Sequence, residues 1–257
     1  MREDLLDKVR KLNWVLQEGY KESFSFDELC KILSELTDSN VYLADTDGNI
    51  IGVCYTHTED SAATVDPITG LPKFQKEYNE QMMKIAETKA NFRNEEALAV
   101  FKYHPLTKNK FHTIIPVKTG ADRWGNLILI RYKPEFSTED LVLCEFGATV
   151  VAIEMRRKVK LKLQEVQKEA EIVEMAFNSL SYSEGQAVSK IFGYLDGDEG
   201  VIVASMIAEK SDITRSVIVN SLRKLEGAGV IRSRSLGMKG THIKVLNSQF
   251  FKKLGTY

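Results

Sequence analysis

The sequence predicts an α+β fold in three parts: an antiparallel sheet with helices, one long linker helix and a C-terminal winged helix-turn-helix. Three observations predict it. Short strand patterns separated by turn signals occupy the N-terminal half, residues 141–180 contain no proline, and two helical patterns followed by a basic hairpin lie near the C-terminus. These patterns place the domain boundaries at 1–136, 137–180 and 181–257.

Composition and charge exclude several classes of protein. The 257 residues are 43% hydrophobic with a formal net charge of −1, and no apolar run approaches the roughly 18 residues of a membrane span. The N-terminus is too charged for a secretory signal, and three scattered cysteines are typical of a reducing compartment. The four histidines lack metal-ligand spacing, and no catalytic motif is found. We therefore expect a cytoplasmic protein with no membrane partner, no metal and no enzymatic activity.

The N-terminal third begins with two amphipathic helices and a hairpin. Apolar residues between Leu5 and Leu16 recur at helical spacing, and residues 25–28 form a capping box that opens a second helix. Residues 41–44 and 50–54 form two short strands around Asp47 and Gly48, a tight hairpin signal. Helices followed by an antiparallel hairpin predict a sensor domain of the GAF or PAS type.

The pattern is least regular between residues 56 and 111. Residues 74–90 favour a helix, and residues 98–101 are a short apolar run. Two clear strands follow, at 113–117 and 127–131, with residues 120–125 as the turn between them. An antiparallel sheet with long loops over one face indicates a ligand pocket.

A second capping box at 137–140 opens a very long helix. Its apolar stripe has alternating spacings of four and three and consists of Val159, Leu163, Val166, Ala170, Val173, Phe177 and Leu180. A repeat of about 3.5 residues is typical of helices that pack along their length. Two interpretations stay open: a linker helix that packs on its own domains, or a seam that joins two chains or two domains.

Residues 203–228 indicate two helices joined by a tight turn. Residues 204–210 form the first helix and residues 211–213 the turn, where Asp212 tolerates the left-handed backbone. Thr214 offers a hydroxyl that can cap the second helix. The buried stripe of that helix consists of Ile218, Leu222 and Leu225.

Two basic strands, at 230–235 and 241–245, complete a wing. Residues 203–253 contain ten Lys and Arg against three acids, so this segment carries +7 in a chain of −1. Positive charge concentrated in one segment indicates that the segment binds nucleic acid. A helix with a polar face suits the major groove of a double-stranded DNA operator. The expected DNA contacts are Ala204, Ser205, Thr214, Arg215, Ser216, Val219, Asn220, Arg223, Arg232, Arg234 and Lys239.

Several stretches resemble the CodY family of pleiotropic repressors of low-GC Gram-positive bacteria. In the C-terminal domain the match is nearly continuous and reads ITRSVIVNSLRKLEGAGVIRSRSLGMKGTHIKVLN. Upstream, the matching stretches are DSNVYLADTDGNIIG, LVLCEFGATVVAIEM and NSLSYSE. The resemblance implies a GAF domain, a homodimer on inverted-repeat operators, and control by isoleucine or another branched-chain amino acid together with GTP.

The resemblance also implies where the effector binds. The family's aromatic-to-tyrosine motif corresponds to Phe74 and Tyr78, and Val100 and Phe101 fit a hydrophobic wall. These four are the expected ligand contacts. Aromatic and aliphatic residues at this spacing are equally typical of an ordinary hydrophobic core that binds no ligand.

Two departures from the family pattern affect the effectors. The family pairs the ligand carboxylate with an Arg, whereas residues 59–62 here read Glu-Asp-Ser-Ala, which leaves Lys73 and Arg93 as candidates. The family's basic hairpin turn is replaced at 45–49 by a turn with two carboxylates, which would repel a triphosphate. We therefore expect GTP to bind weakly or not at all.

Together these patterns predict a ligand-responsive transcriptional regulator, mainly a repressor of nutrient-responsive genes. The alternative is a constitutive DNA-binding regulator whose GAF domain only dimerises or senses another ligand.

Overall fold

The computed structural model describes residues 5–19, 25–56, 63–102, 109–195 and 197–256. The chain divides into two compact units, Met1–Lys158 and Val159–Tyr257, and the boundary falls inside one continuous helix. Each unit has its own buried core. The predicted α+β fold, with a sheet-based domain, a long helix and a winged helix-turn-helix, is confirmed.

The N-terminal unit is built on an antiparallel sheet. Its helices are α1 (Leu5–Gly19), α2 (Phe26–Thr37), α3 (Lys76–Met83), α4 (Glu95–Val100) and the first part of α5 (Thr138–Asn178). Its strands are β1 (Asn40–Asp45), β2 (Ile50–Cys54), β3 (Ala63–Val65), β4 (Pro72–Phe74), β5 (Lys89–Phe92), β6 (Phe111–Thr119) and β7 (Asp122–Arg131). Five strands pair in the order β2-β1-β7-β6-β5, and β3 pairs with β4.

Strand alternation divides the side chains of this sheet between two cores. On β1, Val41 and Leu43 join the core that α1, α2 and α5 cover, whereas Tyr42 and Ala44 join the core that α3 and α4 cover. The second core also contains all four expected effector contacts. The sheet is therefore the wall that separates the candidate pocket from the long helix.

Two sequence predictions in this unit were too long. The helix predicted over 74–90 is reduced to α3, because Phe74 ends β4 and Lys89 begins β5. The turn predicted over 120–125 is also shorter, since β7 begins at Asp122. Strand pairing takes residues at the ends of both ranges, because Phe74 pairs with β3, and Lys89 and Asp122 pair with β6.

A capping box and a buried ion pair fix the start of α5. The backbone N–H of Asp140 donates to the Ser137 hydroxyl at 3.2 Å, and the Asp140 carboxylate accepts from the Ser137 N–H at 2.9 Å. The same carboxylate lies 2.8 Å from the guanidinium of Arg131, which also donates to the carbonyl of Thr37 at the end of α2. The predicted capping box is confirmed, and Arg131 ties the sheet to both helices.

The C-terminal unit surrounds a separate core and a small sheet. Its elements after α5 are α6 (Tyr182–Gly193), β8 (Glu199–Ile202), α7 (Ala204–Ser211), α8 (Arg215–Gly227), β9 (Ile231–Ser235), β10 (Thr241–Val245) and α9 (Phe250–Leu254). The strands pair in the order β8-β10-β9. The sequence Asp-Gly-Asp-Glu-Gly at 196–200 predicts a loop between α6 and α7. This prediction is wrong in its second half, because Glu199 and Gly200 pair with β10, and Asp196 lies outside the described residues.

The apolar stripe of α5 divides into two parts. Its C-terminal members are buried in the core of the C-terminal unit: Val173, Phe177 and Leu180. Three earlier members are 45%, 64% and 39% exposed: Val159, Leu163 and Val166. For the later part of the stripe, the structure therefore agrees with the first interpretation, in which the linker helix packs on its own domain. Of the helices that the structure describes, none is both long and apolar enough to cross a bilayer.

Candidate nucleic-acid interface and effector pocket

Helix α8 separates an apolar face from a polar one. Its stripe of Ile218, Leu222 and Leu225 is buried, as the spacing predicts. The opposite side exposes Arg215, Ser216, Asn220 and Arg223, and Val219 is half-buried between the two faces. Guanidinium and amide groups on an exposed helix face have the donors and acceptors that read base edges in the major groove.

The start of α8 differs from the sequence prediction in one bond. Thr214 occupies the N-cap position, but its hydroxyl lies 3.0 Å from the hydroxyl of Ser216 and makes no capping bond. The predicted side-chain cap is therefore wrong. The Val217 N–H donates to the carbonyl of Thr214 at 3.1 Å, and because the Thr214 hydroxyl is not used as a cap, it does not compete with an anion such as a phosphate at this helix start.

The preceding turn and helix hold α8 in place. Asp212 ends α7 with φ 50°, which confirms that this residue takes the left-handed conformation. Ile207 is buried in the core of the C-terminal unit, and Ala204 packs against that core. Ser205 is exposed at the first turn of α7, beside the predicted interface.

The wing exposes two arginines on one strand, and an acid pairs with the basic side chains of the neighbouring strand. Arg232 and Arg234 are exposed on β9, opposite Lys244 and His242 of β10. Glu199 of β8 lies 2.7 Å from Nζ of Lys244 and 3.1 Å from Nε2 of His242. The hydrogen bond with Lys244 lowers the pKa of Glu199, and in return raises the pKa of Lys244. The charge of Lys244 is therefore engaged, whereas β9 presents cations to a ligand.

The turn of the wing depends on one glycine. Lys239 lies in a single 3-10 turn between the strands and is exposed. Gly240 follows with φ +106°, and a Cβ there would lie 2.3 Å from the carbonyl oxygen of Ile202. Only glycine permits this approach to β8, so Gly240 sets the position of Lys239.

Some exposed basic residues of this unit pair with acids of the same unit. Three of the ten bind carboxylates of the same unit, in the pairs Lys224–Glu184, Lys244–Glu199 and Lys253–Glu174. The +7 counted from sequence therefore overstates the charge offered to DNA. Spacing alone could not reveal this, because the acids come from other elements.

The four expected effector contacts lie together on one face of the sheet. Phe74, Tyr78, Val100 and Phe101 are between 1% and 7% exposed. The rings of Tyr78 and Phe101 meet edge to face at 5.9 Å, and the Tyr78 hydroxyl donates to the carbonyl of Lys102 at 2.5 Å. The set, which we call the aromatic cluster, packs on itself as a core does.

Sequence reasoning missed two members of the aromatic cluster. Tyr42 lies 5.6 Å from Phe74, and His112 lies 5.3 Å from Phe101, between ring centroids. Both are buried, and of the two histidines that the structure describes, His112 is buried and His242 is not. The period-two alternation of β1 and β6 is the signal that could have found them.

Neither candidate for binding the ligand carboxylate, Arg93 or Lys73, faces the aromatic cluster. The guanidinium of Arg93 stacks 5.1 Å from the ring of Phe111, which belongs to the core on the other face of the sheet. Lys73 precedes the buried Phe74 on β4, so alternation directs its side chain away from the cluster. Residues 59–62 lie outside the described residues.

The acidic hairpin turn is organised by one of its carboxylates. Asp45 accepts from the backbone N–H groups of Asp47 and Asn49, each at 2.9 Å, and from the side-chain amide of Asn49 at 2.8 Å. Asp47 is exposed. Asp45 therefore has a structural role in the turn, and Asp47 gives this surface a negative charge.

Comparison with known proteins decides the family. Residues 4–179 match the family described as the CodY GAF-like domain, and residues 198–257 match the CodY helix-turn-helix domain. The chain belongs to the CodY family. It is 43% identical to the global transcriptional regulator CodY of Clostridium perfringens (strain SM101 / Type A) over 252 residues, which is 97% of each chain. The same regulator of Lysinibacillus sphaericus is 43% identical over 98% of this chain and 97% of its own.

A solved structure agrees with the N-terminal fold. The cofactor-binding GAF domain of the nutrient sensor CodY from Clostridium difficile is 35% identical, has a TM-score of 0.50, and covers 60% of this chain and 99% of its own. As a CodY-family protein, the chain is a transcriptional regulator with a helix-turn-helix DNA-binding domain and a GAF domain, and it is not an enzyme.

Proposed function

We propose that this CodY-family regulator reads its operator with α8 and the wing, and that it acts mainly as a repressor of nutrient-responsive genes. The observation that carries the proposal is the exposed polar face of α8 beside two exposed wing arginines. Arg215, Ser216 and Asn220 are assigned to base edges, and Arg232, Arg234 and Lys239 to phosphates.

The effector of the GAF domain is proposed to be a branched-chain amino acid, with isoleucine first. The aromatic cluster supports this because its rings and aliphatic groups suit a branched apolar side chain. The measurement is operator affinity with and without isoleucine at one salt concentration, since phosphate contacts make affinity steeply salt-dependent. Tighter binding with isoleucine is expected. Affinity that isoleucine leaves unchanged would refute the effector.

A constitutive regulator is the second candidate function, and one observation favours it. Phe74 and Phe101 are each only 1% exposed and pack within the cluster as core residues do. A GAF domain of that kind would only dimerise or sense another ligand. Calorimetry of the full chain against the amino acids decides between the two, because a constitutive protein would give no heat of binding.

GTP is proposed to bind weakly or not at all. The exposed Asp47 carries a negative charge at the turn where a triphosphate would approach. Titration of GTP, without and with isoleucine, should give no saturable heat. Replacing Asp47 with Lys is the matched gain-of-binding variant, and tight binding to the unaltered hairpin would contradict the proposal.

The protein is proposed to act as a homodimer in the cytoplasm, where its DNA lies. Exposed Val159, Leu163 and Val166 continue the stripe that is buried further along α5, so a second copy can cover them. Leu163→Lys should shift the sedimentation equilibrium toward monomer. Leu161→Lys is the control, because Leu161 is 51% exposed but lies off the stripe. Equal effects of the two would place the dimer contact elsewhere.

A further inference from the structure

Lys224 differs from the other basic residues of α8 because it binds inside its own unit. Its ammonium nitrogen lies 2.7 Å from Oε2 of Glu184, in the first turn of α6. The same nitrogen donates to the carbonyl of Ser179 at 2.9 Å, directly after α5 ends. One ammonium group therefore connects α8 to the end of α5 and to the start of α6.

Glu184 is held rigidly to receive this bond. The residue is 8% exposed, and Oε2 also accepts from the backbone N–H of Ser181 at 2.7 Å as part of a capping box. The hydrogen bond with Lys224, and then the bond with the Ser181 N–H, lower the pKa of Glu184. The carboxylate is therefore ionised at neutral pH, and its bond with Lys224, whose side chain is 42% exposed, is charge-assisted.

The direction of Lys224 separates it from Arg215, and its bonds to α5 and α6 distinguish it from Asn220, which leaves the helix on nearly the same side. Lys224 comes nine residues after Arg215, and at about 100° per residue these two side chains leave the helix on opposite sides. Next to Lys224, Glu226 accepts from the backbone N–H and the hydroxyl of Ser233 at 2.7 and 2.8 Å. The C-terminal half of α8 is thus held by polar bonds to α6 and to β9, while its first turn projects Arg215 into solvent.

We propose that Lys224 and Glu184 are positioning residues for sequence reading, which fix the orientation of α8 against α5 and α6, and that Lys224 does not contact phosphate. The inference rests on the proposed reading role of α8. Base-edge hydrogen bonds require heavy-atom distances near 3 Å and good angles, so a small rotation of α8 breaks them. Phosphate contacts from long side chains adapt to such a rotation.

The test measures specificity rather than affinity alone. The full-length protein is titrated with a duplex that the wild type selects from a random pool, and with a random duplex of equal length, over a salt series below the melting transition. Lys224→Met should lower affinity for the selected duplex about tenfold and for random DNA less than about twofold, with the salt slope unchanged. Glu184→Gln should reproduce this, and the double variant should be no worse than either single one.

Two further variants sharpen the result. Lys224→Arg keeps a cation that can reach Glu184, so it should recover most of the discrimination between the two duplexes. Lys190→Met removes an exposed lysine on α6 and should leave the ratio of the two affinities as in the wild type.

Two outcomes would overturn the inference. Equal losses on both duplexes, with a salt slope smaller by about 0.9, would make Lys224 a phosphate contact. A lower melting temperature with an unchanged ratio of affinities would make the pair a stabilising contact only. A wild type that prefers no duplex over random DNA would instead refute the proposed reading role of α8, which is a different failure.

Discussion

The proposed reading face of α8 and the aromatic cluster present their side chains in opposite ways. On α8, Arg215 and Asn220 are already exposed, so DNA can meet them without rearrangement of the core. In the cluster, Phe74 and Phe101 are buried against their neighbours, so a ligand would have to displace packed rings. The comparison teaches that the proposed reading surface is already exposed in the folded chain, whereas an effector at the aromatic cluster would require a change in core packing.

The largest expected effect is a loss of stability when a ring of the aromatic cluster is removed. Phe101→Ala removes a buried ring, and such a change costs about 3–5 kcal/mol of unfolding free energy. Both tryptophans lie in the N-terminal unit, so tryptophan fluorescence during urea unfolding reports on this unit. Ile68→Ala, at a position 93% exposed, should change the same quantity by less than about 0.5 kcal/mol. A mild effect of Phe101→Ala would show that the cluster is already loosely packed.

The second prediction concerns the reading face. Arg215→Ala should cost about 1–3 kcal/mol of binding free energy on the selected operator and much less on random DNA, because a bidentate contact to a base is lost. Stability should hardly change, since the side chain is exposed. Competition binding on both duplexes measures the difference. Identical losses on the two would remove Arg215 from the base-reading set.

The third prediction is smaller and uses the wing. Lys239→Ala should weaken binding to all duplexes to a similar extent and reduce the salt slope by about 0.9, as expected for one phosphate contact. The measurement is a salt titration of operator and random DNA. A loss confined to the operator would instead assign Lys239 to base reading.

The smallest predicted effect is a pH dependence in the C-terminal unit. Hydrogen bonds lower the pKa of Glu184 in the folded chain from its usual 4.5. Its stabilising contribution is therefore complete above that value and is lost as pH falls through the lowered folded pKa. Amide hydrogen exchange in α6 and α8 should speed up over this acid range, and Glu184→Gln should remove that part of the pH dependence. An unchanged dependence in the variant would assign it to other carboxylates.

Much of the fold follows from local sequence. The helical stripe of α8, the left-handed Asp212, the capping boxes before α5 and α6 and the strands of the central hairpins each follow from neighbouring residues, and the structure contains them. The length of α3 and the strand at Glu199 could not be predicted, because partners distant in sequence decide them.

The sequence by itself determined that α8 has one apolar and one polar face, because helical periodicity is a local property. Only the tertiary structure decided that Lys224 binds Glu184, that Arg93 stacks on the far face of the sheet, and that His112 joins the aromatic cluster. Each of these depends on which elements pack together. The sequence gives the charge of each side chain, but contacts between residues far apart in the chain decide which surface carries that charge.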